Sequence, residues 1–138
     1  MIEIPKNFPL DLKGFNPFGD LIGLRFSKYE HGSSQCVLDV SEKLLNPHKV
    51  LHGGVLYSMA DTGMGAALYS HLKNDELCAT VEIKISYFAA VKSGKLTCDT
   101  KVLHKGKRIA ILESEITSTD RPIAKATGTF SIFKIKRG

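Results

Sequence analysis

One long segment has the pattern of a helix, from about Val55 to Leu72, and it limits what this chain can fold into. Its apolar residues recur at helical spacing on most sides, at Val55, Leu56, Met59, Ala60, Met64, Ala67 and Leu68. A helix that is apolar nearly all round is buried. Gly63 and Gly65 each cost about 1 kcal/mol of helix propensity, so we expect another backbone to approach the helix closely there.

Strand patterns lie on both sides of this helix. Val81, Ile83, Ile85 and Tyr87 alternate with polar residues, as in a half-buried strand. Short turn sequences separate the later strands, which we therefore expect to be adjacent and antiparallel. The predicted strands are Leu21–Tyr29, Gln35–Val40, Thr80–Phe88, Lys95–His104, Arg108–Ser118 and Pro122–Ile135.

The order of elements is thus two strands, one buried helix and four strands. A single helix cannot cover both faces of a wide sheet, so we predict an α+β fold whose antiparallel sheet wraps around one long central helix. The outer face and the edge strands then need polar cover or a second chain. Residues 1–19 are rich in proline and glycine and read as an N-terminal arm with one helical turn around Asp20, followed by one folded domain over residues 20–138.

The net charge of +5 is concentrated in Lys105-Gly106-Lys107-Arg108 and in the tail at residues 134–137. Such basic stretches bind nucleic acid, attract a polyanionic small molecule such as a nucleotide, or form solvated surface. Nucleic acid is the least favoured partner, because no aromatic residues are interleaved with the charges and no known binding motif accompanies them.

Other features bear on metals and on location. The three cysteines, Cys36, Cys78 and Cys98, are widely spaced without a C-x-x-C motif, so we expect reduced thiols rather than a zinc or redox site. The N-terminus lacks the pattern of a signal peptide, which predicts a cytoplasmic protein. Asp61 and other polar residues interrupt the apolar segment, so we do not expect it to span a membrane.

Asp61 is the first candidate for chemistry. A carboxylate in the middle of an apolar helix must be paired, hydrogen-bonded or functional, because burying an unpaired charge is costly. The structural alternative is an aspartate bonded to a neighbouring amide or to Thr62. The residues alone support a functional and a structural role for Asp61 about equally.

The second candidate is His52-Gly53-Gly54 at the start of the helix. Glycines allow a ligand close to the backbone, and the free N–H groups of a helix start favour developing negative charge. Alternatively the tripeptide is only a turn, with His52 as a cap or loop anchor. The eight residues from Gly53 to Asp61 span about 12 Å of helix, so the two features are unrelated or meet across two subunits.

A longer run makes the pattern more specific. The run Asn46-Pro47-His48-Lys49-Val50-Leu51-His52-Gly53-Gly54, followed by Met59-Ala60-Asp61, resembles the signature of PaaI-type hotdog-fold acyl-CoA thioesterases. Thr80 to Phe88, the turn Val91-Lys92-Ser93-Gly94 and the basic stretch 105–108 are similar to later parts of that family. The likeness covers roughly residues 20 to 135.

The resemblance implies a hydrolase of acyl-CoA that works as a homodimer or homotetramer without metal or cofactor, since CoA is part of the substrate. Asn46 and the Gly53 N–H of one subunit would polarise the thioester carbonyl, and Asp61 of the other would act as general base or nucleophile. Thr80 would help to hold water, and His52 would lie beside the thioester. The residues expected to contact substrate are Gly54, Tyr57, Met64, Leu68, Phe88, Lys105, Lys107 and Arg108.

The chain departs from the family pattern at two positions. Lys49 stands where many relatives have glycine, so the Asn46 loop either takes a different path or carries extra charge. Thr80 stands where relatives often have serine, which keeps the hydroxyl and adds a methyl group.

Two other functions compete with the thioesterase. A hotdog-fold hydratase or dehydratase acts on related thioesters, but such enzymes usually pair an acidic residue with a histidine in a run that this chain lacks. A non-catalytic acyl-CoA-binding module is the third possibility, although regulators of that kind normally add a DNA-binding domain. The acyl group, aromatic or fatty, is left open by the sequence.

Overall fold

The computed structural model describes residues 14–135 and contains two α-helices, one 3-10 turn and six strands. A short helix α1 and strands β1 and β2 precede the long helix α2, and β3 to β6 follow it. The bounds are α1 Pro17–Ile22, β1 Arg25–Glu30, β2 Ser33–Asp39, the 3-10 turn Glu42–Leu44, α2 Gly53–Tyr69, β3 Glu76–Tyr87, β4 Lys95–Lys105, β5 Ile109–Ser118 and β6 Arg121–Lys134.

The six strands form one antiparallel sheet in the order β1-β2-β4-β5-β6-β3. The expectation that β3 lies beside β4 is wrong, because β3 pairs with β6 at the far edge. The chain leaves β2, passes through α2 and re-enters the sheet at that edge. The segment 88–94 then returns across the start of α2, where the Leu51 N–H donates to the Val91 carbonyl and the Val40 N–H to the Gly94 carbonyl.

Helix α2 packs against the inner face of this sheet, as its apolar pattern predicted. Met59, Ala60, Met64, Ala67 and Leu68 are fully buried. On the sheet side, the fully buried partners include Leu38, Leu96, Leu112 and Ile123. The predicted fold class is therefore confirmed: one sheet wraps around one long central helix, in the hotdog arrangement.

Of the two glycines at which another backbone was expected to approach α2, only Gly63 has a close neighbour, and that neighbour is a side chain rather than a backbone. A Cβ atom at Gly63 would lie 2.7 Å from Thr100 Oγ1 on β4, whereas one at Gly65 would meet none of the described atoms within 4 Å. Gly65 lies on the side of the helix that points away from the sheet. Periodicity identified the helix, but it could not say which glycine faces the sheet.

The first predicted strand begins too early, because its start belongs to α1. Asn16 caps this helix by accepting the Gly19 N–H at 3.2 Å, and Pro17 follows as its first residue. Gly23 ends it in the left-handed conformation, with φ of 81°. The helical turn expected around Asp20 is thus present, and the predicted boundary after residue 19 falls inside α1. The arm's first 13 residues lie outside the described part.

The sheet has a polar outer face and two unequal edges. On the outer face, Glu113 lies within ion-pair distance of Lys101 and Lys125. Strand β3 forms one edge and is largely exposed, with a bulge at Val81, whose side chain is 59% exposed. The alternation read in β3 therefore does not mark a buried face along its whole length.

Two further sequence expectations concern cysteines and membranes. Cys36 and Cys98 are buried, Cys78 is half-buried, and none of these three described cysteines forms a disulfide. Between residues 14 and 135 no helix is long and apolar enough to cross a membrane.

Candidate active site

Asp61 lies at the middle of α2 and is half-buried, with its carboxylate directed to the β3 edge. Thr80 Oγ1 donates a hydrogen bond of 2.6 Å to Asp61 Oδ1. The two residues that the resemblance assigned to the water-activating side of the reaction therefore touch within one chain. The bond also orients the carboxylate and leaves its second oxygen, Oδ2, available to another donor.

The start of α2 has a defined set of hydrogen bonds. His52 is the N-cap, and its Nδ1 accepts the Gly54 N–H at 2.8 Å. The Val55 N–H bonds to the His52 carbonyl at 3.0 Å. Gly53 is the first helical residue, so no helical carbonyl lies behind its N–H. The free donor that the sequence predicted is thus Gly53 rather than Gly54.

Tyr87, which the sequence analysis did not single out, holds the same helix start. Its hydroxyl donates to the Gly53 carbonyl at 2.9 Å. Its ring lies where a side chain on Gly53 would be, since a Cβ there would be 3.2 Å from the ring carbon Cζ. Burial and the neighbouring Tyr57 raise the pKa of Tyr87, so the phenol keeps the proton that it donates. A side chain at position 53 would therefore press against the Tyr87 ring.

Asn46 is held in a tight loop before the helix. Its Oδ1 accepts the His48 N–H at 2.9 Å and the Val50 N–H at 3.4 Å. Because the oxygen faces the loop, the Nδ2 group of the same amide is turned away from it. Lys49 adopts a φ of 65°, the left-handed conformation that glycine takes without strain. The loop thus follows the path glycine would allow, and lysine bears the strain.

An apolar groove runs beside this helix start. Its volume is about 370 Å³, and its lining residues are Leu51, Gly53, Leu56, Tyr87, Phe88, Ala89, Ala90 and Val91. Phe88 is 57% exposed, so the groove is open to solvent. Of the predicted apolar contact residues, only Phe88 lines it. Tyr57 is exposed on α2 near Tyr87, whereas Met64 and Leu68 are fully buried in the core and face no open groove within this chain.

The predicted basic residues are divided between two places. Lys107 and Arg108 line a cavity of about 430 Å³ together with Lys73, Glu76, Ile132, Phe133 and Lys134. Lys105 lies elsewhere, close enough to His71 to help lower the pKa of that imidazole. Lys136 and Arg137 of the basic tail lie outside the described residues. Lys73 was missed because the sequence places it far from the other cations.

Gly53 and Asp61 belong to one unbroken helix. Eight residues of helix separate them by about 12 Å along the axis, which is too far for both to contact one carbonyl group. Between residues 14 and 135 no three His, Cys, Asp or Glu side chains are grouped so as to hold a metal ion. The site thus consists of a carboxylate–hydroxyl pair and, apart from it, a set of amide donors.

Comparison with known proteins places this fold in a class. The family model of the thioesterase superfamily matches residues 48–125. A conserved Pseudomonas aeruginosa protein of known structure, PA5202, is 34% identical and superimposes with a TM-score of 0.83, covering 86% of this chain and 95% of that one. The family match covers more than half of the chain, so the chain belongs to the thioesterase superfamily.

Two curated relatives extend this comparison. The protein SSO1253 of Saccharolobus solfataricus is 31% identical over 116 residues, which cover 83% of this chain and 77% of that protein. The 1,4-dihydroxy-2-naphthoyl-CoA hydrolase of Listeria monocytogenes is 26% identical over 119 residues, covering 86% of this chain and 97% of that enzyme.

Proposed function

We propose that this protein hydrolyses an acyl-CoA thioester to a free acid and CoA, at a site built by two copies of the chain. The observation that carries the proposal is the Asp61–Thr80 pair, a half-buried carboxylate fixed by a 2.6 Å hydrogen bond beside an exposed sheet edge. Membership of the thioesterase superfamily and the name of the Listeria monocytogenes relative support this class of reaction.

The second copy follows from the β3 edge. Val81, Tyr87 and Phe88 lie on or next to this edge, and each is at least half exposed. An apolar strand edge of this kind is a template for pairing with another chain. Antiparallel pairing of two β3 strands about a twofold axis at Lys84 sets Glu82 opposite Ser86 of the partner subunit, and the extra residue of the bulge at Val81 then sets Thr80 opposite Tyr87 of the partner subunit.

This pairing brings together the two halves of the site. Within each copy, Tyr87 bonds to Gly53 and Thr80 bonds to Asp61. Placing the Thr80 end of one strand against the Tyr87 end of the other therefore brings Asp61 of one copy to the helix start of the next. The 12 Å separation within one helix then no longer prevents a shared substrate. A homodimer is the smallest active unit, and a tetramer would contain two such units.

The hydrolysis proceeds from these positions. The thioester carbonyl oxygen accepts hydrogen bonds from the Gly53 N–H and from Asn46 Nδ2, which stabilise the negative charge that develops on it. Asp61 of the other copy removes a proton from water held with Thr80, and the water oxygen bonds to the carbonyl carbon. The tetrahedral intermediate then breaks its C–S bond, and the CoA sulfur leaves as thiolate and takes up a proton. His52 supports this step indirectly, because its Nδ1 accepts the Gly54 N–H and so caps the helix start that carries Gly53.

The Thr80 bond supports a general-base role for Asp61 over direct attack. It occupies Oδ1 and leaves Oδ2 for water, while the Thr80 oxygen can accept a second hydrogen bond from the same water. No step requires a cofactor, because CoA is itself part of the substrate.

Substrate binding is assigned to the two cavities. The groove of about 370 Å³ beside Gly53 takes the apolar part of the substrate next to the thioester. Phe88 lines this groove, and Gly54 and Tyr57 lie in the first turns of α2 beside it. Lys107 and Arg108 suit the phosphates of CoA, because guanidinium and ammonium groups bind phosphate oxygens. Lys73 and Lys134 share their cavity and add to that charge.

The test is a thiol-release assay over a panel of aromatic and fatty acyl-CoA esters. We expect Asp61→Asn to lower kcat by about 100-fold or more, the usual contribution of a general base. Glu115→Gln, on the outer sheet face, is the matched control and should keep native turnover. Native kcat in Asp61→Asn would refute the mechanism. Loss of an enoyl-CoA without thiol release would support the hydratase instead.

A further inference from the structure

A layer of buried polar side chains lies under the middle of α2. Ser34, Thr100 and Ser114 on the inner sheet face are 5%, 4% and 0% exposed. Cys36 and Cys98, which face each other on β2 and β4, are fully buried beside them. Polar groups in a core cost free energy unless they are hydrogen-bonded, so their bonding partners show what the layer does.

The partners are three carbonyl groups of α2. Ser34 Oγ donates to the Gly63 carbonyl at 2.7 Å, and Ser114 Oγ to the Ala60 carbonyl at 3.4 Å. The Cys36 and Cys98 thiols both donate to the Met59 carbonyl at 3.7 Å. The hydrogen bond with Cys98 and burial raise the pKa of Cys36, so this thiol keeps its proton.

Thr100 links this layer together. Its Oγ1 lies 2.6 Å from Ser114 Oγ and 3.7 Å from Cys98 Sγ. It also fills the space beside Gly63, where a Cβ would lie 2.7 Å from Oγ1. Helix α2 therefore cannot rotate or slide at this turn without losing bonds or colliding with Thr100.

The three carbonyls belong to residues 59, 60 and 63, which flank Asp61 in the sequence. Each of them lies in the body of the helix, where the N–H four residues ahead already supplies one hydrogen bond. The helix does not need the extra donors, and apolar residues of the same shape would fill the core about equally well. The bonds instead fix the turn from which the Asp61 side chain reaches Thr80.

We propose that Ser34, Thr100 and Ser114 are positioning residues that hold Asp61 in its reactive geometry. This inference rests on the proposed function, in which Asp61 is the general base. None of the three side chains contacts the substrate. Ser34 and Ser114 act through helix carbonyls, and Thr100 acts through Ser114 and its contact with Gly63, all on one side of α2, while the carboxylate reacts on the other. Displacement of a catalytic group by about 1 Å can lower a rate about 100-fold.

The experiment compares two substitutions of one residue. Thr100→Val keeps the shape and removes the hydroxyl, whereas Thr100→Ser keeps the hydroxyl and removes a methyl group. We expect Thr100→Val to lower kcat about 10- to 100-fold at unchanged KM, and Thr100→Ser to keep native kcat. A purely structural role lowers the thermal stability of both variants and leaves the kcat of the folded enzyme at its native value. Thermal unfolding of each variant establishes that it is folded.

A second pair covers the case in which Thr100→Val does not fold. Ser34→Ala removes the donor to the Gly63 carbonyl, and Ser34→Thr retains it. We therefore expect Ser34→Ala to lower kcat and Ser34→Thr to keep it. Asp61→Asn is measured in parallel. If Asp61→Asn keeps its turnover, the proposed function fails. If Asp61→Asn is inactive while the variants with and without the hydroxyl have equal kcat, only the positioning role is overturned.

Discussion

At the scale of single residues, Lys49 shows local backbone strain in the loop before α2. Its φ of 65° lies in the left-handed region, which costs a residue with a Cβ roughly 1 kcal/mol relative to glycine. We therefore predict that Lys49→Gly raises the free energy of unfolding by up to about 1 kcal/mol. Urea denaturation measures this, with Lys43→Gly in the 3-10 turn as a control that should not be stabilised. A destabilised Lys49→Gly would show that the lysine side chain supports the loop.

Some residues of the candidate site could be picked out from the sequence, and others could not. Asp61 was identifiable because a carboxylate in an apolar helix stands out, and Gly53 because it opens that helix. Tyr87 was missed because alternation in a strand does not reveal that a tyrosine reaches the helix start. Ser34, Thr100 and Ser114 were missed because small hydroxyl residues are common on strands, and only the three-dimensional packing brings them under one helix turn.

At the scale of elements, Gly63 and Gly65 give a matched pair on α2. Alanine at either position gains about 1 kcal/mol of helix propensity. At Gly63 the new Cβ would lie 2.7 Å from Thr100 Oγ1, and overpacking of a core costs about 1–3 kcal/mol. We predict that Gly63→Ala is less stable than the native protein and Gly65→Ala more stable, by urea denaturation. Equal effects would contradict the close helix–sheet contact.

The C-terminal end of α2 gives a prediction about pH. Burial, with His31 and Lys105, lowers the pKa of His71 from its ordinary 6.5. Below pH 6.5 the His71 side chain is protonated in the unfolded chain before it is protonated in the folded one. The neutral, buried His71 therefore contributes to the free energy of unfolding above pH 6.5, and this contribution is lost as the pH falls through the lower pKa of the folded state. We predict that His71→Gln weakens the loss of stability between about pH 7 and pH 5. The exposed control His48→Gln should retain it, and identical profiles would refute the assignment.

The elements themselves were largely predictable, and their neighbours were less so. The long helix and the turns of the later strands follow from periodicity and turn residues, which are local signals. The position of β3 at the far edge depends on how the chain crosses the sheet after α2, and no local pattern encodes that path. For this reason the sequence predicted that the segment 88–94 is a short link between neighbouring strands β3 and β4.

At the scale of the whole molecule, the fold leaves the β3 edge exposed and divides the site within each chain. Helix α2 satisfies the sheet's inner face, and charged residues cover part of the outer face. The β3 edge remains uncovered, with Val81, Tyr87 and Phe88 exposed. The central claim is that a second copy covers this edge and completes the site.

Mixing two inactive variants tests that claim most directly. Asn46→Asp keeps the loop's acceptor and removes the Nδ2 donor, and Asp61→Asn removes the base. In a mixed dimer, one site combines the native Asp61 of the first variant with the native Asn46 of the second. We predict that subunit exchange of equal amounts restores about a quarter of native thiol-release activity. No recovery in dimers shown to have exchanged would contradict the shared site.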